Sequence, residues 1–400
     1  MAQHIALSAF WPGFVLSDLQ IHDDRVLVRL QPQPQAALVC SCCHTPCPLL
    51  HDSRWRRIRE LPMLGRRVDL EVLIGRVACK RCGPRVQHVD WLGRHQRVTQ
   101  RLAQTVAALC ARLPVAHVAE LMELHWGTVR EIDRRALRQR LSERPPAQPR
   151  RLIMDEFALH KGHRYASVVL DADSKRVLWI GLGRSRTSVR EFFVSLGHEG
   201  CHRIQAVAMD MNTAYDLEVR QHCPKARIIY DLFHVVAKYG REVISRVRVD
   251  AANQLRHDKP ARRVVKQAHW LLLRNPARLE PRQEIHLREV LQANQSLMTV
   301  YIMKDALKSL WTAPDAWEWR RRWKQWLDHA RQSAIPALVR FADLLKPYWR
   351  GILSRVRWPM HTGILEGINN KIKLIKRMAF GYRDTDYFFL KIKAAFPGNP

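Results

Sequence analysis

The sequence predicts a multidomain α+β protein, and three observations carry that prediction. Six of the nine cysteines fall between Cys40 and Cys82, within a segment that alternates as strands do. After residue 150, short apolar runs end abruptly on a carboxylate, as buried strands do when they deliver an acid to the edge of a sheet. From about Val235 to Val356 the spacing is almost wholly helical, with Pro260, Pro276, Pro281, Pro314, Pro336 and Pro347 as punctuation. At 400 residues the chain is too long for one ordinary core, so about two to four domains are expected.

In chain order, residues 14 to 31 alternate around Asp23-Asp24 and read as a hairpin. Gln31-Pro32-Gln33-Pro34-Gln35 is a short extended connector. Cys40-Ser41-Cys42-Cys43 and Cys79-Lys80-Arg81-Cys82 are two CxxC pairs, each placing two thiolates on a tight turn. Two such turns complete a tetrahedral zinc site. The segments Val68 to Val72 and Leu73 to Val77 read as a strand pair between them, as in a zinc ribbon. Cys40, Cys43, Cys79 and Cys82 are the expected ligands, with Cys42, Cys47, His44, His51 and His88 as alternatives. Four protein ligands leave no open position, so the zinc role is structural. In the first turn, His44 stands where a glycine commonly follows the second cysteine. Cys110, Cys201 and Cys223 read as ordinary buried thiols.

Leu102 to Leu113, Val115 to Leu121 and Val129 to Leu141 read as three helices joined by short breaks, a helix-turn-helix. Thr128-Val129-Arg130-Glu131 forms a capping box that would start the third. Val129, Ile132 and Ala136 make its inner stripe. Arg130, Arg134 and Arg138 recur every four residues on an outer face suited to phosphates or base edges. Arg144-Pro145-Pro146-Ala147-Gln148-Pro149 is a linker, because its prolines remove donors and disfavour helix before them.

Beyond the linker, Arg151 to Asp155, Tyr165 to Asp171 and Val177 to Gly183 read as three successive strands. Helix (Ser188 to Leu196), strand (Ile204 to Asp210), helix (Thr213 to His222) and strand (Arg227 to Asp231) follow. A three-strand meander followed by alternating helix and strand is the order of a ribonuclease H-like core. Asp155 and Asp210 are expected to end neighbouring strands. Glu366 opens a late helix on which Asn370, Lys373 and Arg377 share its face, opposite Leu365, Ile368, Ile372 and Ile375. Acids gathered in this way supply the oxygen ligands that divalent-metal phosphoryl transfer requires. Asp231 and His234 are placed to orient a ligand or contact DNA. Glu156 should point away from Asp155 by the period of two. Asp171, Asp173 and Asp216 read as turn and surface acids. Trp319, Trp323, Trp326, Leu327 and Ala330 recur at helical spacing and read as the core of a separate helical domain, with Arg320, Arg321, Arg322 and Lys324 outside.

Charge bounds the partners. Sixty-seven Lys and Arg against 37 Asp and Glu leave a formal +30, an excess that a polyanion best compensates, and nucleic acid is the usual one. No apolar run approaches the ~20 residues of a membrane helix. The N-terminus lacks a basic stretch followed by an apolar core, so a cytoplasmic location is expected.

Together these residues resemble the DDE transposases of the ISL3 insertion-sequence family over nearly the whole chain. The likeness is carried by the CxxC pairs, the helix-turn-helix, Ile153-Met154-Asp155-Glu156-Phe157-Ala158, Asp210 followed by Tyr215, and Asp231-Leu232-Phe233-His234. It extends to Glu366-Gly367-Ile368-Asn369-Asn370-Lys371-Ile372-Lys373, and to Phe380-Gly381-Tyr382-Arg383-Asp384 with Tyr387-Phe388-Phe389. The resemblance implies Asp155, Asp210 and Glu366 as an acid triad holding two Mg²⁺ ions, with Mn²⁺ as a substitute. It also implies double-stranded DNA as partner (element terminal repeats and target), a homo-oligomer on that DNA at the nucleoid, and neither a membrane nor a small-molecule substrate. The helical stretch becomes an insertion between the second and third acids. The expected layout is a zinc-ribbon domain (1–95), a helix-turn-helix domain (96–145), the first part of the core (150–235), the insertion (236–358), and the last core helix with its tail (359–400). A DNA-binding regulator on this core would lack an acid, and none is missing. A structure-selective nuclease would not need the long N-terminal recognition module.

Overall fold

The computed structural model describes residues 10–34, 36–93, 96–160, 164–360 and 363–399; the side chains of His160, Ile364, Leu365 and Glu366 lie outside the described set. The chain divides into two compact units. One comprises residues 1–144 with 375–394, and the other 145–374 with 395–400. The break after Arg144 falls at the proline linker. The layout otherwise differs from the five expected segments, because residues 375–394 of the tail join the N-terminal unit.

In that unit β1 (Phe14–Ile21) and β2 (Arg25–Pro32) form the expected hairpin. The expected pair Val68–Val72 and Leu73–Val77 is instead one long strand, β4 (Arg66–Cys79), antiparallel to β3 (Leu50–Met63). Nothing between Val72 and Leu73 turns the chain. The reversal lies at Leu64-Gly65, whose φ values of 49° and 78° are those of a two-residue hairpin turn. The short β5 (Gly83–Val86) folds back on β4, and the sheet order is β1-β2-β4-β3 with β5 on β4.

Three helices follow: α1 (Gln100–Cys110), α2 (Val115–Leu121) and α3 (Trp126–Ser142). The third starts earlier than expected. His125, not Thr128, is its N-cap and accepts from the Gly127 amide. Its buried stripe is Val129, Asp133 and Leu137. Glu60 joins sheet and helices, accepting from Trp11, Thr99 and Arg101 while almost fully buried.

The second unit is built on β6 (Arg151–His160), β7 (Arg164–Asp171), β8 (Val177–Leu182), β9 (Ala206–Met209) and β10 (Arg227–Tyr230). Their order is β10-β9-β6-β7-β8. The first three form an antiparallel meander, and β9 and β10 run parallel to β6. Helices α4 (Arg186–Arg203, broken at Gly197) and α5 (Thr213–His222) connect β8, β9 and β10, and α6 (Leu232–Tyr239) follows β10. There follow α7 (Ser245–Gln254), α8 (Lys259–Gln267), α9 (His269–Leu273), α10 (Pro281–Ala293), α11 (Gln295–Ser309), α12 (Ala316–Gln332), α13 (Pro336–Leu345) and α14 (Trp349–Arg357).

Trp319, Trp326 and Ala330 are buried and Arg320, Arg321 and Lys324 exposed, so the tryptophan stripe is core, as its spacing predicts. That core is not separate, however. One continuous apolar cluster runs from Leu152, Val207 and Tyr230 of the sheet to Trp319, Phe341 and Ile352 of the helices. The joint is tight: a Cβ on Gly351 of α14 would lie 2.3 Å from the Tyr230 ring, so only glycine allows this approach. Trp311 also donates to the Tyr230 carbonyl. The last helices are α15 (Gly363–Met378) and α16 (Thr385–Ala395). Residues 363–374 of α15 belong to the second unit and 375–378 to the first. Among the described residues no helix is long and apolar enough to cross a membrane.

Candidate active site

Three aspartates come level at one end of the parallel strands. The β6–β9 register pairs Ile153 with Ala208, and two residues further along lie Asp155 and Asp210. The β9–β10 register pairs Met209 with Tyr230, which brings Asp231 beside Asp210. Leu152, Met154, Val207, Met209, Ile228 and Tyr230 all enter the main core, so alternation turns Asp155, Asp210 and Asp231 toward the opposite face. Asp155 does not end its strand as expected. β6 continues to His160 along β7, and only its pairing with β9 stops at Ile153. The sheet thus opens on one side of Asp155 while holding its backbone on the other.

Burial dominates the electrostatics of these acids. Asp155 and Asp231 are each 9% exposed. Burial pushes the Asp155 carboxyl up, opposed by the backbone amide of Glu156, His234 and Asn369. Asp210 is pushed up to about 6, first by burial and then by the charges of Glu156 and Asp155, while His234 and the Asn212 amide pull it down. His234 Nε2 lies 3.9 Å from Asp231 Oδ2. The imidazole therefore lowers Asp155 and Asp210 and lies beside Asp231.

Asn369 of α15 donates to Asp155 Oδ2 at 2.9 Å. This contact was missed in the sequence, where the face argument favoured Asn370. Asn370, Lys373 and Arg377 are exposed, and Ile368 and Ile372 are buried. Glu366 stands one helical turn before Asn369 on the same helix, and its side chain lies outside the described residues. Glu156 makes contacts that alternation alone does not specify. It bonds Arg184 at 2.7 Å and reaches Asn212 at 3.5 Å, and Asn212 donates its backbone amide to Asp210. Although it leaves the strand on the other face, Glu156 is tied back to the Asp210 loop.

Among the described residues, Asp231 Oδ2 and Asn369 Oδ1 are buried without a hydrogen-bond donor. Buried oxygens without donors, beside carboxyls whose proton affinity burial raises, form a set of hard ligands that suits a divalent cation.

In the N-terminal unit the sulfurs of Cys40, Cys43, Cys79 and Cys82 lie within 4.8 Å of one another. Cys42 is exposed, and Cys47 is buried with its thiol on the Thr45 carbonyl; neither belongs to the group. His44 and Gly83, each following the second cysteine of its turn, have φ of 55° and 70°, so His44 adopts the conformation for which glycine is usual. Thr45 holds the Cys43 thiol down at about 6, backbone amides of Cys82 and Arg81 lower Cys79, and the Cys43 sulfur pushes Cys82 up. Four thiols so disposed ionise together only around a cation.

The outer face of α3 is less free than its spacing suggested. Arg134 donates to Asp384 at 2.8 Å, and Arg130 lies 4.0 Å from the same carboxylate. Arg130 also sits over the Trp126 ring, and Arg138 is exposed. Behind this pair, buried Asp133 accepts from Tyr387 and faces Lys391 at 2.6 Å. The tail segment therefore forms a fourth helical layer of this unit, a role invisible in the three-helix pattern.

The shift on Asp210 sets a pH dependence. Its folded pKa of about 6 stands above the ordinary 3.8, so the folded state holds the extra proton between those values. Stability from this group is complete below the ordinary value and is lost as pH rises through 6. With magnesium omitted, Asp210→Asn is expected to stabilise the fold at pH 7.5 by at most about 3 kcal/mol, seen as a higher melting point. The gain should shrink toward pH 4. An equal gain at both pH values in thermal denaturation would contradict this account of the site.

Comparison with known proteins bears directly on these features. Residues 152–392 match the ISL3-type DDE family model described as transposase, and residues 87–137 match the helix-turn-helix domain of transposase family ISL3. The transposase for insertion sequence element IS1001 of Bordetella parapertussis is 52% identical over 394 residues, covering 97% of each chain. The transposase for insertion sequence element IS1557 of Mycobacterium tuberculosis (strain CDC 1551 / Oshkosh) is 29% identical over 399 residues, covering 92% of this chain and 89% of its own. The chain belongs to the ISL3 family of insertion-sequence transposases.

Proposed function

We propose that this transposase cuts and joins DNA at the ends of its element through a magnesium site made by Asp155, Asp210 and Glu366. The carrying observation is the convergence of buried Asp155 and half-buried Asp210, from adjacent parallel strands, with the helix that bears Glu366, joined by the Asn369–Asp155 hydrogen bond. The strand order β10-β9-β6-β7-β8 supports a ribonuclease H-like core interrupted by the helices between Asp210 and Glu366. When bound, the metal pair would activate water or a 3′ hydroxyl for in-line attack and stabilise the leaving oxygen. Asn369 fixes the rotamer of Asp155, and His234 favours the ionised form of its acid neighbours. Asp231, 3.9 Å from that imidazole, adds a third carboxylate to the pocket. Asn370 and Lys373, exposed on the same helix, are placed to follow the phosphate backbone, and Arg377 continues that row.

Asp155→Asn should lower magnesium-dependent cleavage of element-end duplexes by about three orders of magnitude, the several kcal/mol that a metal clamp supplies. End binding should stay within about twofold, since the amide removes charge only from the metal site. Cleavage surviving in the variant would sink the mechanism.

Recognition of the ends falls to the N-terminal unit, with zinc on Cys40, Cys43, Cys79 and Cys82 holding its ribbon together. Metal analysis should find one zinc per chain. Cys79→Ser should lose it and unfold the sheet, because binding and folding are coupled in such a module. A folded, zinc-free ribbon would refute the assignment.

Arg130, Arg134 and Arg138 form the proposed DNA face, and Asp384 competes with phosphate for the first two. Asp384→Asn should therefore tighten end binding by up to about fivefold, the value of a partly exposed ion pair. Arg130→Ala with Arg134→Ala should weaken binding and reduce the logarithmic salt slope by about 0.9 per lost contact. Titrations in which neither substitution moves affinity would place the DNA elsewhere.

A further inference from the structure

At the end of the sheet away from the aspartates lies a second charged feature. A cleft of about 660 Å³ is lined by Arg150, Arg203, Lys225, Arg227 and Arg357, with no carboxylate in its wall. The backbone explains the convergence. Gln205 donates to the Arg150 carbonyl at 2.7 Å, and Arg227 donates to Gln205 at 2.8 Å, which sets the starts of β6, β9 and β10 side by side. Arg203 ends α4 and Arg357 ends α14 at the same level. All five cations are exposed, and among the described residues none has an acidic partner. The adjacent Arg151, by contrast, is paired with Asp173. Trp358 in the cleft wall carries a buried indole N–H with no acceptor.

Five like charges left unpaired around one cleft repel one another unless an anion enters. A lone phosphate is usually cradled by a helix N-terminus or a nest of backbone amides. Here the helices present their C-termini, and the cations come from separate segments spread around the opening. That arrangement fits a charge repeated along a chain. The lining offers no exposed apolar side chain that would enter a lipid surface. β9 separates the cleft from Asp210 by four residue steps, about 13 Å of strand.

We propose that this cleft binds the phosphate backbone of a second DNA segment, distinct from the one presented to Asp155 and Asp210. The nature of the polyanion rests on the reading of the chain as a DNA-joining enzyme; the anion site itself does not. The indole N–H of Trp358 would donate to a phosphate oxygen, and the arginines would supply charge-assisted contacts.

The test uses the full-length chain saturated with a short element-end duplex, so that the N-terminal unit is occupied. Capture of a second duplex of unrelated sequence is then measured by fluorescence anisotropy over a range of salt. Arg203→Glu with Arg227→Glu should weaken capture by about tenfold or more and reduce the salt slope by about two. Cleavage of the short end should be unchanged. The milder pair Arg203→Gln and Arg227→Gln should fall between, with an unaltered melting point. Unchanged capture and slope in the Glu pair would overturn the proposal. So would loss of binding to phosphatidylserine vesicles with DNA capture intact. If the wild-type chain shows no metal-dependent cleavage but capture still falls, the cleft stands and the catalytic reading fails instead.

Discussion

Burying carboxylates that face one another is costly, and the second unit is organised around that cost. Asp155, Asp210 and Asp231 lie level on three neighbouring strands, with Asp155 and Asp231 almost closed to solvent. An ionised acid removed from water must be hydrogen-bonded or paired. Asn369, two backbone amides and His234 meet part of that need. They do not meet all of it, since Asp210 is left with its proton held to about 6 and, among the described residues, Asp231 Oδ2 has no donor. An arrangement this unfavourable persists only because the surrounding sheet and core over-determine it. A divalent cation would relieve it, which makes the residual strain the physical argument for metal.

The long helical stretch is part of the same constraint. Between Asp210 and the helix bearing Glu366 the chain travels through α5 to α14, and it does not form an isolated globule on the way. Tyr230 is the point of attachment, with Gly351 against its ring and the Trp311 indole on its carbonyl. Asp231 follows Tyr230 directly, so the contact that anchors the helices also fixes the third aspartate. Tyr239 carries the packing onward, donating to the Val300 carbonyl and meeting Phe341 edge to face. A continuous core of this kind transmits position well, because close-packed interiors do not deform gradually.

Much of this was legible in the sequence, and the exceptions share a cause. Local periodicity identified the meander, the two strands after it, the three helices and the buried tryptophan stripe, because each depends on residues a few positions apart. The cysteine spacing named the four thiols that converge. What could not be read were partners remote in sequence. Nothing in Arg130 or Arg134 announces Asp384, some 250 positions away. Nothing in Asp133 announces Tyr387 and Lys391. Asp133, next to Arg134 in sequence, is itself buried. Asn369 and Asn370 differ by one helical step, about 100°, and only the approach of α15 to β6 decides which amide meets Asp155. Glu156 obeys the alternation that sends it away, yet Asn212 returns it to the site through a loop whose path periodicity does not specify. The long β4 was divided because two apolar stretches met without a turn signal between them, and the true turn at Leu64-Gly65 depends on positive φ that a leucine does not advertise.

The same bookkeeping of remote pairs changes the meaning of the net charge. Many acids are committed inside the fold: Glu218 is fully buried between Arg186 and Arg190, Glu60 holds Trp11, Thr99 and Arg101, and Asp133 faces Lys391. Each of these neutralises an arginine or lysine locally, and none offers negative potential to solvent. Cations with no such partner, as around the Arg203 and Arg227 cleft, project their field unopposed. A formal +30 averaged over the chain therefore understates how uneven the surface is. Long-range attraction falls off within about 10 Å at moderate salt, so only cations gathered in patches steer a polyanion effectively. Pairing acids inward and leaving arginines in clusters is how a chain of this composition can direct DNA to particular faces instead of adsorbing it everywhere.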